Sequence, residues 1–316
     1  MGKATDASLY WGAMDAAFVA DLSDNALVAV TGDDAADFLH GQFTNDVKAL
    51  QPGHAQWNGW CSAKGRLVAT FLLARRADGF LLMLPAEIAA AFSRRLSMFV
   101  LRSKVKIADA SAGFERYGIA GPGAADFVRG EWGSVPAKME STAKDGAVCI
   151  ALDESRFVAL VPPGTLRLAA TPAARETWDR EAIASGVPTI VAATQEAFVP
   201  QMANFELVGG VSFQKGCYPG QEIVARTQYR GTLKRRMAVA HVGGEARPAP
   251  GDSVYSAAFG EQAAGTVVNA ASAAGGGFDI LVVAQIESLD RGDLRWKSPD
   301  GTPIEILKRP PLANAS

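Results

Sequence analysis

At 316 residues the chain exceeds the size at which one hydrophobic core keeps growing, which predicts two or three domains. It is 48% hydrophobic and 20% charged, an ordinary globular composition, and a formal net charge of -2 excludes a global pull toward nucleic acid or anionic membrane. The three cysteines, Cys61, Cys149 and Cys217, form no C-x-x-C pair, which excludes a zinc ribbon or a ferredoxin-type cluster run. Such sparse cysteine usage suits a reduced cytoplasmic compartment. The opening carries Asp6 and Asp15 where a signal peptide would be basic and then apolar. Gly2 begins a partial myristoylation pattern that Asp6 breaks, and apolar stretches are interrupted by charge too early for a membrane span.

In chain order, Leu27 to Val30 reads as a buried strand, and Thr31 or Asp33 is placed to cap a short helix showing Ala35, Phe38 and Leu39. Residues 65–76 and 79–85 read as strands joined at Asp78-Gly79. Ile88, Ala91, Phe92, Leu96 and Phe99 repeat at helical spacing over 86–101, and 104–107 alternates as a strand. A strand at 116–121 precedes a Gly-Pro-Gly break and a helix over 124–129. Residues 146–153 and 156–163 form a second hairpin, and a helix over 173–185 ends at Gly186-Val187-Pro188. From about residue 236 the chain turns into short β-rich runs separated by Gly, Asp and Pro, as in a small antiparallel barrel, with 271–277 a flexible loop between two of them. The expected organisation is an α+β body over 1–235 and a C-terminal β-barrel over 236–316.

The segment "KGCYPGQE" at 215–222 sets Lys215 two residues before Cys217 and follows it with a Pro-Gly turn. A neighbouring ammonium favours thiolate over thiol, and flanking glycines suit an exposed loop. Taken alone, Cys217 fits a buried structural cysteine equally well. Downstream, Arg226, Arg230, Lys234, Arg235 and Arg236 occur without an acid among them. That run suits a carboxylate tail, a phosphate or an RNA backbone, and equally a solvated linker. In "NGWCSAKGRL", Lys64 and Arg66 flank a basic turn, and Trp57 and Trp60 are candidates for a flat apolar wall or for plain core. In "FLHGQFTNDV", Gln42, Thr44, Asn45 and Asp46 cluster after a helix, as a site or as a capped turn. His40, His54 and His241 lack metal-ligand spacing, and no H-E-x-x-H, G-x-S-x-G, P-loop or Rossmann glycine pattern is present.

Together, "TGDDAADFLHGQFTND", "CSAKGRL" and "GVSFQKGCYPGQEIVARTQYRG" resemble the YgfZ family of folate-binding proteins, relatives of the glycine-cleavage T-protein, an aminomethyltransferase. The lead-in at 186–210, with Pro200, Gln201 and Asn204, is similar as well. The resemblance implies a ring of two interlocked α+β subdomains, at least one of ferredoxin-like character, closed by the barrel around a channel for tetrahydrofolate or a derivative. It implies a folate-binding accessory protein that supports assembly or repair of iron–sulfur enzymes, including tRNA methylthiolation enzymes. Cys217 and Lys215 match the motif positions treated as functional. Trp60, Lys64, Arg66, Gln201, Asn204, Gln221, Glu222 and Arg226 are the expected folate-binding residues, with no metal expected in the isolated chain and no membrane partner.

The same resemblance bears on the chemistry. The T-protein has an aspartate where this chain has Cys217, and a helix carboxylate that falls here near Ala89 to Ala91, with Glu87 the nearest acid. The expected reading is therefore a folate-dependent factor using a reactive thiol. A glycine-cleavage-type aminomethyltransferase is the alternative, and an RNA- or protein-binding module using the 226–236 patch, with direct tRNA binding, is a second.

Overall fold

The structure is a computed structural model that describes residues 17–166, 168–230 and 233–309. The readings made at Gly2, Asp6 and Asp15 lie outside the described residues. The described residues open with β1 (Phe18–Asp21) and β2 (Asn25–Thr31), then α1 (Ala35–Gln42), β3 (Ala55–Cys61), β4 (Leu67–Arg76), β5 (Gly79–Pro85), α2 (Ala86–Ser97) and β6 (Lys106–Asp109). It continues through β7 (Glu115–Ala120), α3 (Ala124–Trp132), β8 (Ser141–Lys144), β9 (Ala147–Ala151), β10 (Arg156–Val161), α4 (Pro172–Ser185) and α5 (Gln221–Arg230). The last part holds β11 (Arg235–Val242), β12 (Ser253–Tyr255), β13 (Gly265–Ser272), β14 (Phe278–Gln285), α6 (Ile286–Arg291), β15 (Arg295–Trp296) and β16 (Thr302–Lys308).

These strands make two five-stranded antiparallel sheets, β3-β4-β5-β2-β6 and β1-β7-β10-β9-β8, and one closed six-stranded antiparallel barrel, β11-β14-β13-β12-β15-β16. Each sheet contains the ferredoxin-like arrangement, in which the first strand lies between the third and the fourth. In the first sheet β2, β4, β5 and β6 play those parts. In the second, β7, β9 and β10 are the first three, and the fourth place is taken by β1, from the start of the chain. The chain thus visits the second sheet, builds the whole of the first, and returns.

Burial explains why β4 and β10 are almost continuously apolar. Along β4, Ala69, Phe71 and Leu73 face the core under α1 and α2, whereas Leu72 and Ala74 face a core shared with the second sheet. Along β10, Phe157, Ala159 and Val161 face α3, and Val158 and Leu160 join that same shared core. A strand covered on both faces has no side for polar residues. The expected helical face on α2 is close, with one exchange: Ala89, not Ala91, is buried. The helix also ends at Ser97, which leaves Phe99 partly exposed beyond it. Helix α4 is capped by Thr171, whose side chain accepts from the Ala174 N–H, and lies against β1, β7, β13 and β14, linking the second sheet to the barrel.

Phe92 is the centre of the first core, within 5.6 Å (ring centroids) of Phe71 and 5.1 Å of Trp60. Replacing it by Ala is expected to cost about 3–5 kcal/mol, read as a lowered urea midpoint with secondary structure retained.

Candidate functional site

Two features stand out, and β3 joins them. The first is a cavity of about 650 Å³ between the inner faces of the two sheets, closed by α4, by the loop at 247–250 and by β13. Its apolar walls include Trp57, Met83 and Trp178, and its polar groups include Arg156, Arg175 and Asn269. Trp178 reaches it because Gly118 on the strand beneath has no side chain, and a Cβ there would overlap the indole. Arg175 is held in place by both carboxylate oxygens of Asp24, at 2.9 and 2.7 Å, and by Asp179 at 2.8 Å. Arg156 donates to Asp153 at 2.8 Å. Glu87 also lines the cavity, and one of its oxygens accepts the Ala192 N–H at 2.8 Å.

The second feature is a junction of the three sequence motifs. Thr44 follows α1; its hydroxyl donates to Gly210 O at 2.6 Å and accepts the Gly59 N–H at 2.8 Å. Asn45 donates to Trp57 O and Gly209 O, at 2.9 and 2.7 Å. Trp57 therefore shows its ring to the cavity and its carbonyl to the junction. The basic turn and the cysteine loop meet at two glycines in left-handed conformation, Gly65 (φ +69°) and Gly220 (φ +78°). A Cβ on Gly220 would lie 2.6 Å from Gly65 Cα, and one on Gly65 would lie 2.8 Å from Ile223 Cβ. Only glycine permits both the dihedrals and the contact.

Lys215 is buried, and its ammonium donates to His40 O and Phe43 O, the carbonyls that α1 leaves unpaired at its C-terminus. It also lies 4.8 Å from the centre of the Tyr218 ring. Burial is the main cause that pushes its pKa down, to about 8, while Asp46 and Cys217 oppose the shift. Cys217 is exposed, whereas Cys61 and Cys149 are buried and their thiols are pushed up to about 12 by desolvation.

The remaining expected residues are dispersed, and none lines the cavity. Trp60 is a core residue, edge-on to Phe92 with Arg95 over its ring; of the Trp57–Trp60 pair it is Trp57 that lines the cavity. Arg66 donates to Glu196 O and Ala197 O, at 3.2 and 2.7 Å, pinning the lead-in to the basic turn. Gln201 donates to Val224 O at 2.7 Å and so fixes α5, while Asn204 donates to Met237 O at 2.7 Å and so fixes β11. Lys64 is exposed in its turn, Glu222 and Arg226 are exposed on α5, and Gln221 is half-buried at its start. The basic run is therefore divided, Arg226 and Arg230 on α5 and Arg235 and Arg236 on β11, and it is not uniformly free: Arg236 is buried in an ion pair with Glu206 and donates to Gln201 O at 2.9 Å. The side chain of Arg230 lies outside the described residues.

Residues 10–138 match the GCVT N-terminal domain family. The tRNA-modifying protein YgfZ of Escherichia coli O157:H7 (strain EC4115 / EHEC) is 33% identical over 228 residues, covering 68% of this chain and 69% of the relative. The chain belongs to the YgfZ family of tRNA-modifying proteins. The YgfZ proteins of Vibrio vulnificus (strain CMCP6) and Colwellia psychrerythraea (strain 34H) are 33% and 28% identical, over 68% and 70% of this chain and the same shares of the relatives. In three dimensions the crystal structure of glycine cleavage system aminomethyltransferase T from Bartonella henselae superposes with a TM-score of 0.66 at 15% identity, covering 93% of this chain and 86% of that one. The chain thus has a T-protein-like fold. No helix among its described residues is long and apolar enough to cross a membrane.

Of the cavity's lining the sequence marked Trp57 and Glu87, whereas Arg156, Trp178 and Asn269 carried no motif because they come from separate elements. One local signal exists: Arg175, Trp178 and Asp179 fall within two turns of α4, where an aromatic beside a charged pair breaks an otherwise ordinary helix.

Lys215 generates a pH prediction. With a folded pKa of about 8 against about 10.4 in the unfolded chain, the native state binds fewer protons than the unfolded state between those values. Stability contributed by this site therefore rises with pH through that window and is lost as pH falls below it. Relative to Lys215→Met, the wild type should gain up to about 3 kcal/mol between pH 8 and pH 10 in urea unfolding. A pH-independent difference would contradict the assignment.

Proposed function

We propose that this YgfZ-family protein binds a reduced folate in the central cavity and uses the exposed Cys217 thiol in support of iron–sulfur enzymes that modify tRNA. The observation that carries the folate reading is the cavity itself. Its volume of about 650 Å³ suits a ligand of that size, and its walls are apolar with a few polar groups. A folate combines a flat pterin and an aromatic spacer with an anionic glutamate tail. Trp57 and Trp178 offer flat faces for the rings; Arg156, which donates to Asp153 and Glu181 O, and Arg247, which donates to Ala270 O, carry further guanidinium N–H groups, while the Asn269 amide is paired with the Thr189 backbone. When bound, the folate would supply one-carbon chemistry; the chain's own contribution is to orient the rings and hold the tail.

Two observations favour this over glycine-cleavage-type aminomethyl transfer. The acids at the cavity are already engaged: Asp24 and Asp179 by Arg175, and Glu87 by an amide N–H. The motif position that is aspartate in the T-protein is here a thiol open to solvent. Clients are then reached at the cysteine loop, which presents Cys217 outward from a rigid junction.

Calorimetric titration with tetrahydrofolate tests the cavity. Wild type should bind, and Trp57→Ala should bind about tenfold more weakly or worse, a loss of about 1.4 kcal/mol. Absence of binding by wild type would remove the reading. Separately, Cys217→Ala should abolish in-cell support of a methylthiolated tRNA base while leaving folate affinity unchanged; intact base modification would remove the thiol from the function.

A further inference from the structure

The end of α2 carries a surface that neither the cavity nor the cysteine loop uses. Six large apolar residues are exposed among the described residues, and three of them, Met98, Phe99 and Leu101, fall within four consecutive positions. Apolar residues exposed singly are ordinary, whereas a contiguous patch marks a contact site. Leu101 is the extreme case, 88% exposed with φ +47°. A bulky L residue enters the left-handed region at a cost, and a side chain left in solvent recovers none of it.

The turn is held firmly. Val100 and Val105 pack against the first core, and the Ser103 N–H donates to Val100 O at 2.8 Å. Phe99 stands edge-on to Trp60, 6.2 Å between ring centroids, and the Lys104 N–H donates to the Asp34 carboxylate at 2.7 Å. Anchored in this way, the turn projects Met98 and Leu101 without an ordering cost at the moment of contact.

The charge around the tip selects the partner. From Ile88 to Ala108 the chain carries Arg94, Arg95, Arg102, Lys104 and Lys106 and no acid. Arg94, one helical turn before Met98, is exposed, as are Arg102 and Lys106, and none of the three makes an ion pair among the described residues. Arg95 pairs with Glu196 at 3.7 Å, and Lys104 with Asp33 at 3.2 Å. Two copies of this surface would oppose cation to cation, which disfavours a symmetric dimer. A bilayer or a nucleic-acid backbone presents continuous negative charge, which would meet the Asp33 and Asp34 carboxylates beside Lys104 as well as the cations. A polypeptide can place its carboxylates singly. Strand β6 points the same way: it is the outermost strand of the first sheet and pairs with β2 alone, so its outer side is open to an added strand.

We propose that the surface at 94–106 docks an extended acidic segment of a partner protein. Aliphatic side chains of that segment cover Met98, Phe99 and Leu101, and its carboxylates reach Arg94, Arg102 and Lys106. The inference is independent of the folate reading and of Cys217, since none of these residues lines the cavity or belongs to the cysteine loop.

Panning a phage-displayed library of random peptides on the full-length chain tests this chemistry without presuming a partner. Enriched peptides should interleave aspartate or glutamate with leucine, isoleucine or phenylalanine. Synthetic copies should bind the wild type in fluorescence polarisation and bind Leu101→Ser and Arg102→Glu at least about tenfold more weakly. Leu101→Gly, which suits the dihedral, should lose the peptide yet keep a urea midpoint at or above that of the wild type. A lowered midpoint there would make Leu101 a folding residue and overturn the proposal. Enrichment of basic peptides or of none, or equal affinity in the variants, would overturn it too. Cosedimentation with phosphatidylserine vesicles, or a tRNA gel shift, that is lost in the same variants would assign the tip to a membrane or to RNA instead.

Discussion

A lysine that caps a helix from 175 residues away organises the junction of the three sequence motifs. Helix α1 ends with unpaired carbonyls, and the ammonium of Lys215 fills two of them. Burying that charge is unfavourable by itself, as the lowered pKa records, so the arrangement holds only with both carbonyls in place. Its effect is to set the cysteine loop on the end of α1. The glycine contact between residues 65 and 220 sets the same loop on the basic turn. Cys217 is consequently an exposed group on a loop held at both ends.

The same economy governs the lead-in at 198–210. Gln201, Asn204 and Glu206 were candidates for polar recognition or lay next to such candidates, yet they face protein. Gln201 holds α5, Asn204 holds β11, and Glu206 neutralises Arg236 as that residue enters the barrel. Burial raises the Glu206 carboxyl and the Arg236 partnership opposes it. Specific polar residues between two rigid bodies carry as much sequence constraint as a ligand site does, and a sequence motif cannot distinguish the two.

That explains what was legible in the sequence. Alternating and 3.6-residue apolar patterns reported most of the sheets and helices, because β4, β10, α2 and α3 take their patterns from the faces they bury. Short strands such as β1, β8 and β15 carry too few residues to show a period, and α5 has its aliphatic residues, Ile223, Val224 and Ala225, in one consecutive run among polar ones. The junction was legible because its residues are consecutive within three motifs. The cavity was not, because Trp57, Arg156, Trp178 and Asn269 belong to four elements that meet only once the barrel closes over the sheets.

The early strand β1 has a consequence for how the chain is made. Its partner β7 pairs Phe18 with Ala120, so about a hundred residues must be added before the ladder can form. At ordinary elongation rates of about 5–20 residues per second, the strand waits on the order of 5–20 s after leaving the ribosome. During that interval the first sheet can complete itself, since all of its strands lie between the two halves of the ladder. Order of synthesis and order of pairing therefore differ: the first strand among the described residues pairs with one made only after every strand of the first sheet, and until then it trails from the nascent first sheet without its partner.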